Sequence, residues 1–373
     1  MASIKERITK NKGKVYDVRV EGGRDSGGKR KQLYNTFRTK KEAKAWANEQ
    51  ENLLNKGIEV DIESKNIVIK EFVPQYLGAH KKKVSANTYV RYTQSAKYVI
   101  NGIGDLKIKS LTSKNIEDFV DTLYEEGMSE SNIKKVLVQL NLMIKYATRW
   151  ELLYKPVVVP ESPKFEEKEV EVWAKEETLE FLKLVEKETI YLPCYITYQT
   201  GLRAGEVAGL TWDDIDFDNG TINVNKAYKL NKLTKEFELG SLKTKASKRV
   251  IEMLPATINL LKQEKSKVEF NKRIFGETYN ANNSVCCNAN GNTIKPDFIS
   301  KRFRVLADKY GYGDVTFHRL RHTHASILLA NGVNIKVIQK RLGHSRISTT
   351  LDTYSHLIQD MSRIEMSKVA NAF

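Results

Sequence analysis

The chain has 373 residues and a mass of 42.7 kDa, too long for a single small module and long enough for two or three domains. Its 62 Lys and Arg against 46 Asp and Glu give a net charge of +16, and its 40% hydrophobic residues exclude a chain disordered throughout. No stretch approaches the roughly 20 apolar residues of a membrane span, the first residues lack the apolar core of a signal peptide, and the three cysteines lack CxxC spacing. We therefore expect a cytoplasmic protein without a membrane segment, a disulfide framework or a zinc module.

Residues 1–60 have the pattern of a small three-stranded sheet backed by a helix. The extended runs cover residues 4–8, 15–20 and 29–39. Thr39 and Glu42 have the spacing of a capping box, and the helix that they open has one apolar face, interrupted only by Gln50. The sequence therefore predicts a compact α+β head at this end of the chain.

This head is the most basic part of the chain, with 15 Lys and Arg against 8 Asp and Glu. A basic surface favours a polyanion, and a small sheet can enter the major groove of duplex DNA. The residues that we predict to contact DNA here are Arg19, Arg24, Lys29, Arg30, Lys31 and Arg38. The alternative is a solvated basic cap without a ligand.

Residues 64–155 are predicted to be all helical. The helices are expected at 67–80, 86–101, 112–126 and 129–149, with Ser85, Thr112 and Ser129 as caps. The last helix has one apolar stripe, formed by Ile133, Val136, Leu137, Leu140, Ile144 and Ala147, and is predicted to lie in a core. The DNA-facing residues predicted here are Lys81, Lys82, Lys83 and Arg91, and a solvated face is again the alternative.

Residues 156–172 are predicted to be a linker, because Pro156, Pro160 and Pro163 disfavour helix at themselves and at the residues before them. Two domains joined by such a strap can close around a rod-shaped ligand such as duplex DNA. Residues 173–373 then form the last domain, with helices around a small antiparallel sheet. An Asn219-Gly220 turn between alternating runs predicts one hairpin, and a second follows with Lys243 near its tip. Helices are expected again throughout 317–371.

Seven polar residues of this domain occur where packing does not explain them. They are Arg203, Glu206, Lys243, His318, Arg321, His344 and Tyr354. Arginines suit the non-bridging oxygens of a phosphate, lysine and histidine suit proton transfer, and a phenol is a nucleophile. Taken singly, each also has a structural interpretation, such as a local ion pair for Arg203 and Glu206.

Together these residues resemble the active site of the tyrosine recombinases, the integrases of phages and mobile elements, whose order along the chain is Arg, Lys, His-x-x-Arg, His, Tyr. The segments TGLRAGEVAGLTWDDID, LKTKASKRVI, FHRLRHTHAS and RLGHSRISTTLDTYSH match the family pattern without a departure at a catalytic position. More loosely, 1–60 resembles the arm-type DNA-binding domain of phage integrases, and 64–155 their helical core-site-binding domain. The resemblance implies a mainly α multidomain fold with small antiparallel sheets.

It also implies the chemistry. Tyr354 attacks a DNA phosphodiester and forms a 3′-phosphotyrosyl link, with Lys243 as the acid to the leaving 5′ oxygen and His318 as the partner of the nucleophile. Arg203 and Arg321 clamp the phosphate, His344 donates a further hydrogen bond, and Glu206 orients Arg203 from behind. No cofactor is implied, and a zinc site at His318 and His322 is not expected, since Arg319 replaces the glutamate of an HExxH motif. His322 and His324 receive no role.

The resemblance predicts a site-specific recombinase that integrates and excises a mobile element at core-type and arm-type attachment sites in a bacterial cell, at the nucleoid. Strand exchange between two duplexes requires four protomers on DNA, and a host DNA-bending protein and an excisionase are further possible partners. Two alternatives stay open. A type IB topoisomerase shares the nucleophile and the clamp, and a non-catalytic DNA-binding regulator can use the same scaffold.

Overall fold

A computed structural model of the protein describes residues 2–9, 13–24, 30–55, 67–153, 155–162, 172–242, 244–348, 350–351 and 353–354. The chain forms two compact units, Met1–Phe165 and Glu166–Phe373. The finer division into a head, a helical domain, a linker and a catalytic domain stays a prediction. None of the described helices combines the length and the apolar character that crossing a membrane needs.

The first unit begins with the predicted sheet and helix. Strands β1 (Ala2–Thr9), β2 (Gly13–Arg24) and β3 (Arg30–Phe37) pair antiparallel in that order, and α1 (Lys40–Asn55) covers one face. The small core comprises Val18, Val20, Leu33, Ala43 and Ala47. The capping box is confirmed, because Thr39 Oγ1 accepts from the Glu42 N–H at 3.2 Å and Glu42 Oε2 accepts from the Thr39 N–H at 3.3 Å.

Four helices follow, close to the predicted positions. They are α2 (Ile69–Lys81), α3 (Ala86–Ile103), α4 (Ser113–Glu125) and α5 (Glu130–Arg149). Ser85 and Thr112 cap α3 and α4 with side-chain hydrogen bonds, whereas Ser129 makes no side-chain cap bond. The predicted apolar stripe of α5 is buried along its whole length, so α5 is a core helix.

The second unit is built of helices around small sheets. Its helices are α6 (Lys175–Leu184), α7 (Tyr191–Thr200), α8 (Ala204–Ala208), α9 (Pro255–Phe275), α10 (Pro296–Lys309), α11 (His318–Ala330) and α12 (Ile335–Leu342). Its strands are β4 (Ile215–Asp216), β5 (Thr221–Val224), β6 (Lys226–Asn231), β7 (Glu236–Ser241) and β8 (Arg249–Glu252). Strands β4, β5 and β8 form one antiparallel sheet, and β6 pairs with β7. After α12, helical residues occur again at 347–348, 350–351 and 353–354, and residues 355–371 of the predicted helical tail lie outside the described residues.

The two predicted hairpins differ in outcome. The first is confirmed, since Ile215 pairs with Ile222 across the Asn219-Gly220 turn. The placement of Lys243 near the tip of the second is wrong, because residues 232–235 form the turn between β6 and β7. Lys243 follows β7 by two residues in sequence, in the connection to β8, and its own placement lies outside the described residues.

Glycines allow the site-bearing segments to approach their neighbours closely. A Cβ at Gly209, the C-cap of α8, would lie 2.8 Å from the backbone nitrogen of Tyr228, so α8 packs directly on β6. Gly201 ends α7 with a φ of +71°, in the left-handed region that favours glycine. The chain can therefore turn sharply between α7 and Arg203.

Candidate active site

The candidate nucleophile Tyr354 is buried against α11 and α12. Its side chain is 2% exposed and packs in a cluster with Ala325, Leu329, Ile338 and Leu342. Its hydroxyl lies 2.9 Å from Nδ1 of His322. Burial raises the pKa of the Tyr354 phenol above its usual value, and the nearby Arg321 offsets only part of this effect. Tyr354 is thus a protonated phenol that needs a proton acceptor.

His322, and not the expected His318, makes the hydrogen bond to the nucleophile. Burial, then Arg321 and Arg319, lower the pKa of His322 to about 4, so its imidazole is neutral at pH 7 and can accept a proton. The ring of His318 lies edge-on to His322, with 4.7 Å between centroids, which places it one ring further from the phenol. His318 presents part of its ring to solvent, yet desolvation of the rest, with His322 and Arg321, lowers its pKa to about 3.

Arg321 is a buried cation, 1% exposed, that joins three segments of the site. Its Nη1 donates to the Gly201 carbonyl at 2.6 Å, and its Nη2 donates to the Leu342 carbonyl at 2.8 Å and to His344 Nε2 at 2.9 Å. These bonds use three of the five N–H groups of the guanidinium. Burial, followed by the charge of Arg203, lowers the pKa of Arg321 to about 9, so it remains a cation at neutral pH.

The tautomer of His344 follows from this contact. A guanidinium only donates, so Nε2 of His344 is the acceptor and Nδ1 carries the proton, which it donates to Thr350 Oγ1 at 2.8 Å. Burial and the charges of Arg321 and Arg203 lower the pKa of His344 to about 4. In this state His344 is a neutral imidazole whose Nε2 is occupied by Arg321.

Arg203 and Glu206 open α8 together. Arg203 is the N-cap residue, and Glu206 at the third helical position accepts from the Arg203 backbone N–H at 3.0 Å and from its Nη1 at 2.9 Å. The Glu206 side chain is 3% exposed and that of Arg203 is 38% exposed. Burial by itself would raise the pKa of Glu206, but Arg249 and Arg203 outweigh it and lower the pKa. A buried carboxylate therefore holds a guanidinium that solvent can reach.

An open cavity of about 550 Å³ lies beside Arg203 and His318. Lys301 and Arg304 from α10 also line it. A cavity with this many cationic side chains suits a phosphate group. In the described part of the chain, no three His, Cys, Asp or Glu side chains are grouped so that they could hold a metal ion.

The structure brings together five of the six predicted catalytic side chains, and Lys243 lies outside the described residues. Sequence reasoning missed His322, although its spacing of four residues from His318 places both on one face of a helix. Of the predicted DNA-binding residues, Arg19, Arg38, Lys81, Lys82, Lys83 and Arg91 are exposed. Arg24, Arg30 and Lys31 lie on β2 and β3, and Lys29 lies outside the described residues.

The chain is similar to known proteins over most of its length. The chain is 29% identical over 378 residues to the tyrosine recombinase XerC-like protein of Caldanaerobacter subterraneus subsp. tengcongensis, with 95% of each chain covered. The integrase of transposon Tn1549, solved in complex with transposon right-end DNA, is similar in fold, with a TM-score of 0.67 at 21% identity over 82% of this chain and 100% of that one. A lambda integrase, solved as a tetramer bound to a Holliday junction, gives a TM-score of 0.55 at 19% identity over 91% of this chain and 95% of that one.

Three family models match in the predicted order. An arm DNA-binding domain matches residues 6–53, and the N-terminal SAM-like domain of phage integrases matches 68–124. The phage integrase family model matches residues 172–360, which contain every predicted catalytic residue. This match spans half of the chain and the whole of the site described above, and the chain therefore belongs to the phage integrase family of tyrosine recombinases.

Proposed function

We propose that Tyr354 is the nucleophile of a site-specific DNA recombinase that cleaves and rejoins DNA at the attachment sites of a mobile element. The observation that carries this proposal is the hydrogen bond from the Tyr354 phenol to a neutral histidine, beside the buried cation Arg321. Such a phenol can pass its proton to the imidazole as its oxygen attacks phosphorus.

The reaction exchanges one phosphate ester for another. A bond forms between the Tyr354 oxygen and phosphorus, the bond from phosphorus to the 5′ oxygen breaks, and the phenol proton passes to His322 Nδ1. Lys243 supplies a proton to the departing 5′ oxygen. Because the phosphotyrosine is still an ester, an incoming 5′-hydroxyl reseals the strand by the reverse steps without ATP.

The cations stabilise the charge that builds up on the non-bridging oxygens. Arg203, held by Glu206, presents its accessible guanidinium to the phosphate from the cavity side. Arg321 donates to the phosphate with the two guanidinium N–H groups that are not bonded to the described part of the protein. The negative diester favours the protonated form of His344, whose Nε2 then donates to the phosphate and no longer accepts from Arg321.

The N-terminal modules would recognise the DNA sites on which the protein acts. Residues 1–60 would bind arm-type sites and 64–155 core-type sites, with contacts from the exposed residues Arg19, Arg38 and Arg91 and from the run of lysines at 81–83. The matches to an arm DNA-binding domain and a SAM-like domain support this assignment. The tetrameric lambda integrase on a Holliday junction supports assembly of four protomers on DNA. We propose a host DNA-bending protein and an excisionase as further partners.

The test is the variant Tyr354→Phe, which removes the attacking oxygen and keeps the ring. On a nicked core-site duplex that traps the covalent intermediate, wild type should accumulate protein–DNA adduct and the variant none, while both bind the duplex with the same affinity. Tyr312→Phe removes a phenol that packs against Trp173 in the same unit and should behave as wild type. Adduct formed by the Tyr354 variant would contradict the assignment.

A further inference from the structure

Arg249 is a buried cation that neither the recombinase motif nor the chemistry above requires. It is the first residue of β8, and its side chain is 6% exposed. We propose that Arg249 is a positioning residue, which holds Arg203 and the segment before His344 in register with each other through one guanidinium. This inference rests on the proposed function of the site.

The first contact of Arg249 is with Glu206. Its Nη1 lies 3.3 Å from Oε1 and its Nη2 lies 3.1 Å from Oε2, so the guanidinium meets both carboxylate oxygens. Those oxygens also accept from Nη1 and the backbone N–H of Arg203. Each oxygen of Glu206 is therefore shared between the two arginines. The orientation of Arg203 depends on a carboxylate whose own position is set by Arg249.

The second contact reaches the end of α12. The Nε–H of Arg249 donates to the carbonyl of Arg341 at 2.6 Å. The next carbonyl along the chain, that of Leu342, accepts from Arg321 at 2.8 Å. Two buried arginines thus hold consecutive carbonyls just before His344, and a Cβ at Gly343 would lie 3.0 Å from Arg249 Nη1. The Arg249 guanidinium therefore packs directly against this turn.

A third contact extends to the connection between β7 and β8. Nη1 of Arg249 also donates to the Ser247 carbonyl at 3.0 Å. Four of the five N–H groups of this guanidinium are therefore engaged, and they join α8, α12 and the segment that follows Lys243 in sequence. A lysine would retain the positive charge beside Glu206 but could not reproduce this planar set of donors. Arg249→Lys consequently keeps the charge that neutralises Glu206 but removes the hydrogen bonds that position its neighbours.

The experiment measures single-turnover cleavage, DNA affinity and thermal unfolding of the full chain. For Arg249→Lys we expect cleavage of the nicked core-site duplex to fall by about 10- to 100-fold, as for other residues that orient a reacting group, with Kd changed less than about twofold. The matched control is Arg302→Lys. Arg302 donates to Glu188 through Nε and Nη2 in the same unit, and this variant should cleave at the wild-type rate.

A double-mutant cycle separates positioning from a general loss of stability. If Arg249 acts through Arg203, then Arg249→Lys should lower cleavage by less than about threefold in an Arg203→Lys background. A wild-type rate for Arg249→Lys, or an undiminished effect in that background, would overturn the proposal. So would loss of folding in both Arg249→Lys and Arg249→Gln, since Arg249 would then serve stability alone. Failure of the wild-type protein to form an adduct would instead overturn the proposed function.

Discussion

At the scale of single residues, the buried phenol of Tyr354 needs a neutral group that accepts its proton. His322 and His318, both on α11, are the two candidates. His322 lies 2.9 Å from the hydroxyl, while the ring of His318 packs edge-on against the ring of His322. The low pKa of His322 keeps it neutral in the unbound protein, which is the form that accepts a proton. The geometry thus favours His322 as the immediate acceptor and His318 as its neighbour on the side of the open cavity.

This distinction predicts different pH profiles for two variants. His322→Gln keeps a polar side chain next to the phenol but removes the base, so cleavage at pH 7 should fall by about 100-fold, within the usual range for one acid–base group. Since hydroxide must then remove the phenol proton, the rate of this variant should rise about tenfold per pH unit between pH 7 and 9. His318→Gln should show a smaller loss and no such slope. If His318→Gln carries the slope instead, His318 is the acceptor.

At the scale of elements, α11 carries histidines that burial keeps in their neutral form, and His324 is one of them. His324 is 7% exposed, donates from Nδ1 to the Tyr198 carbonyl at 2.8 Å and accepts at Nε2 from Arg341 Nε at 3.1 Å. A second proton on this ring would face the Arg341 guanidinium directly. Burial, followed by Arg341, accordingly lowers the pKa of His324 to about 3.

The stability of the catalytic unit should therefore depend on pH in a defined direction. The folded pKa of His324 lies below the unfolded value of about 6.5, so the unfolded state takes up the proton first as the pH falls. The contribution of neutral His324 to the free energy of unfolding is complete above pH 6.5. It is lost as the pH falls toward 3, by up to about 1.4 kcal/mol per pH unit. Thermal unfolding between pH 7.5 and 5 should show this loss, and His324→Gln should flatten the curve. Parallel curves for wild type and variant would contradict the prediction.

At the scale of the whole molecule, positive charge is spread along the chain and is densest in residues 1–60, whose 15 basic and 8 acidic side chains supply +7 of the net +16. Residues 6–53 match the model of an arm DNA-binding domain, and under the proposed function this head has a DNA target of its own. Two DNA-binding modules on one chain suit a protein that joins sites distant in sequence on a DNA molecule.

Deleting residues 1–60 should therefore affect DNA cleavage and DNA recombination differently. Cleavage of short core-site duplexes should stay within about threefold of wild type, as expected when an independent module is removed, while recombination between full attachment sites should be lost. The slope of log Kd against log salt concentration on long site DNA should also become shallower, because fewer phosphates are contacted. A milder control is the pair Arg19→Ala and Arg38→Ala, both at exposed positions. Recombination of full sites by the truncated protein at the wild-type rate would show that the head is only a solvated cap.

Much of the fold was predictable because its determinants are local. The capping box at Thr39, the apolar stripe of α5 and the Asn219-Gly220 turn each depend on residues within a few positions of one another, and all are present as predicted. The set of candidate catalytic residues was also readable, because each belongs to a short segment that resembles its counterpart in the family. The family match over 172–360 confirms the resemblance, while the roles of the individual residues stay predictions.

The contacts that organise the site were decided only by the tertiary structure, since they join residues far apart in sequence. Arg321 reaches the Gly201 carbonyl across 120 positions, and Arg249 reaches the Arg341 carbonyl across 92. No local pattern marks such partners, because any buried backbone carbonyl accepts from any arginine that the fold brings near it. The same reason explains why the prediction for Lys243 is wrong. Strand β8 pairs with β5 and not with β7, so the segment between β7 and β8 is not the tip of a hairpin. Residue types determined which chemistry the chain carries, and long-range packing determined which histidine touches the nucleophile and which arginine holds the others in place.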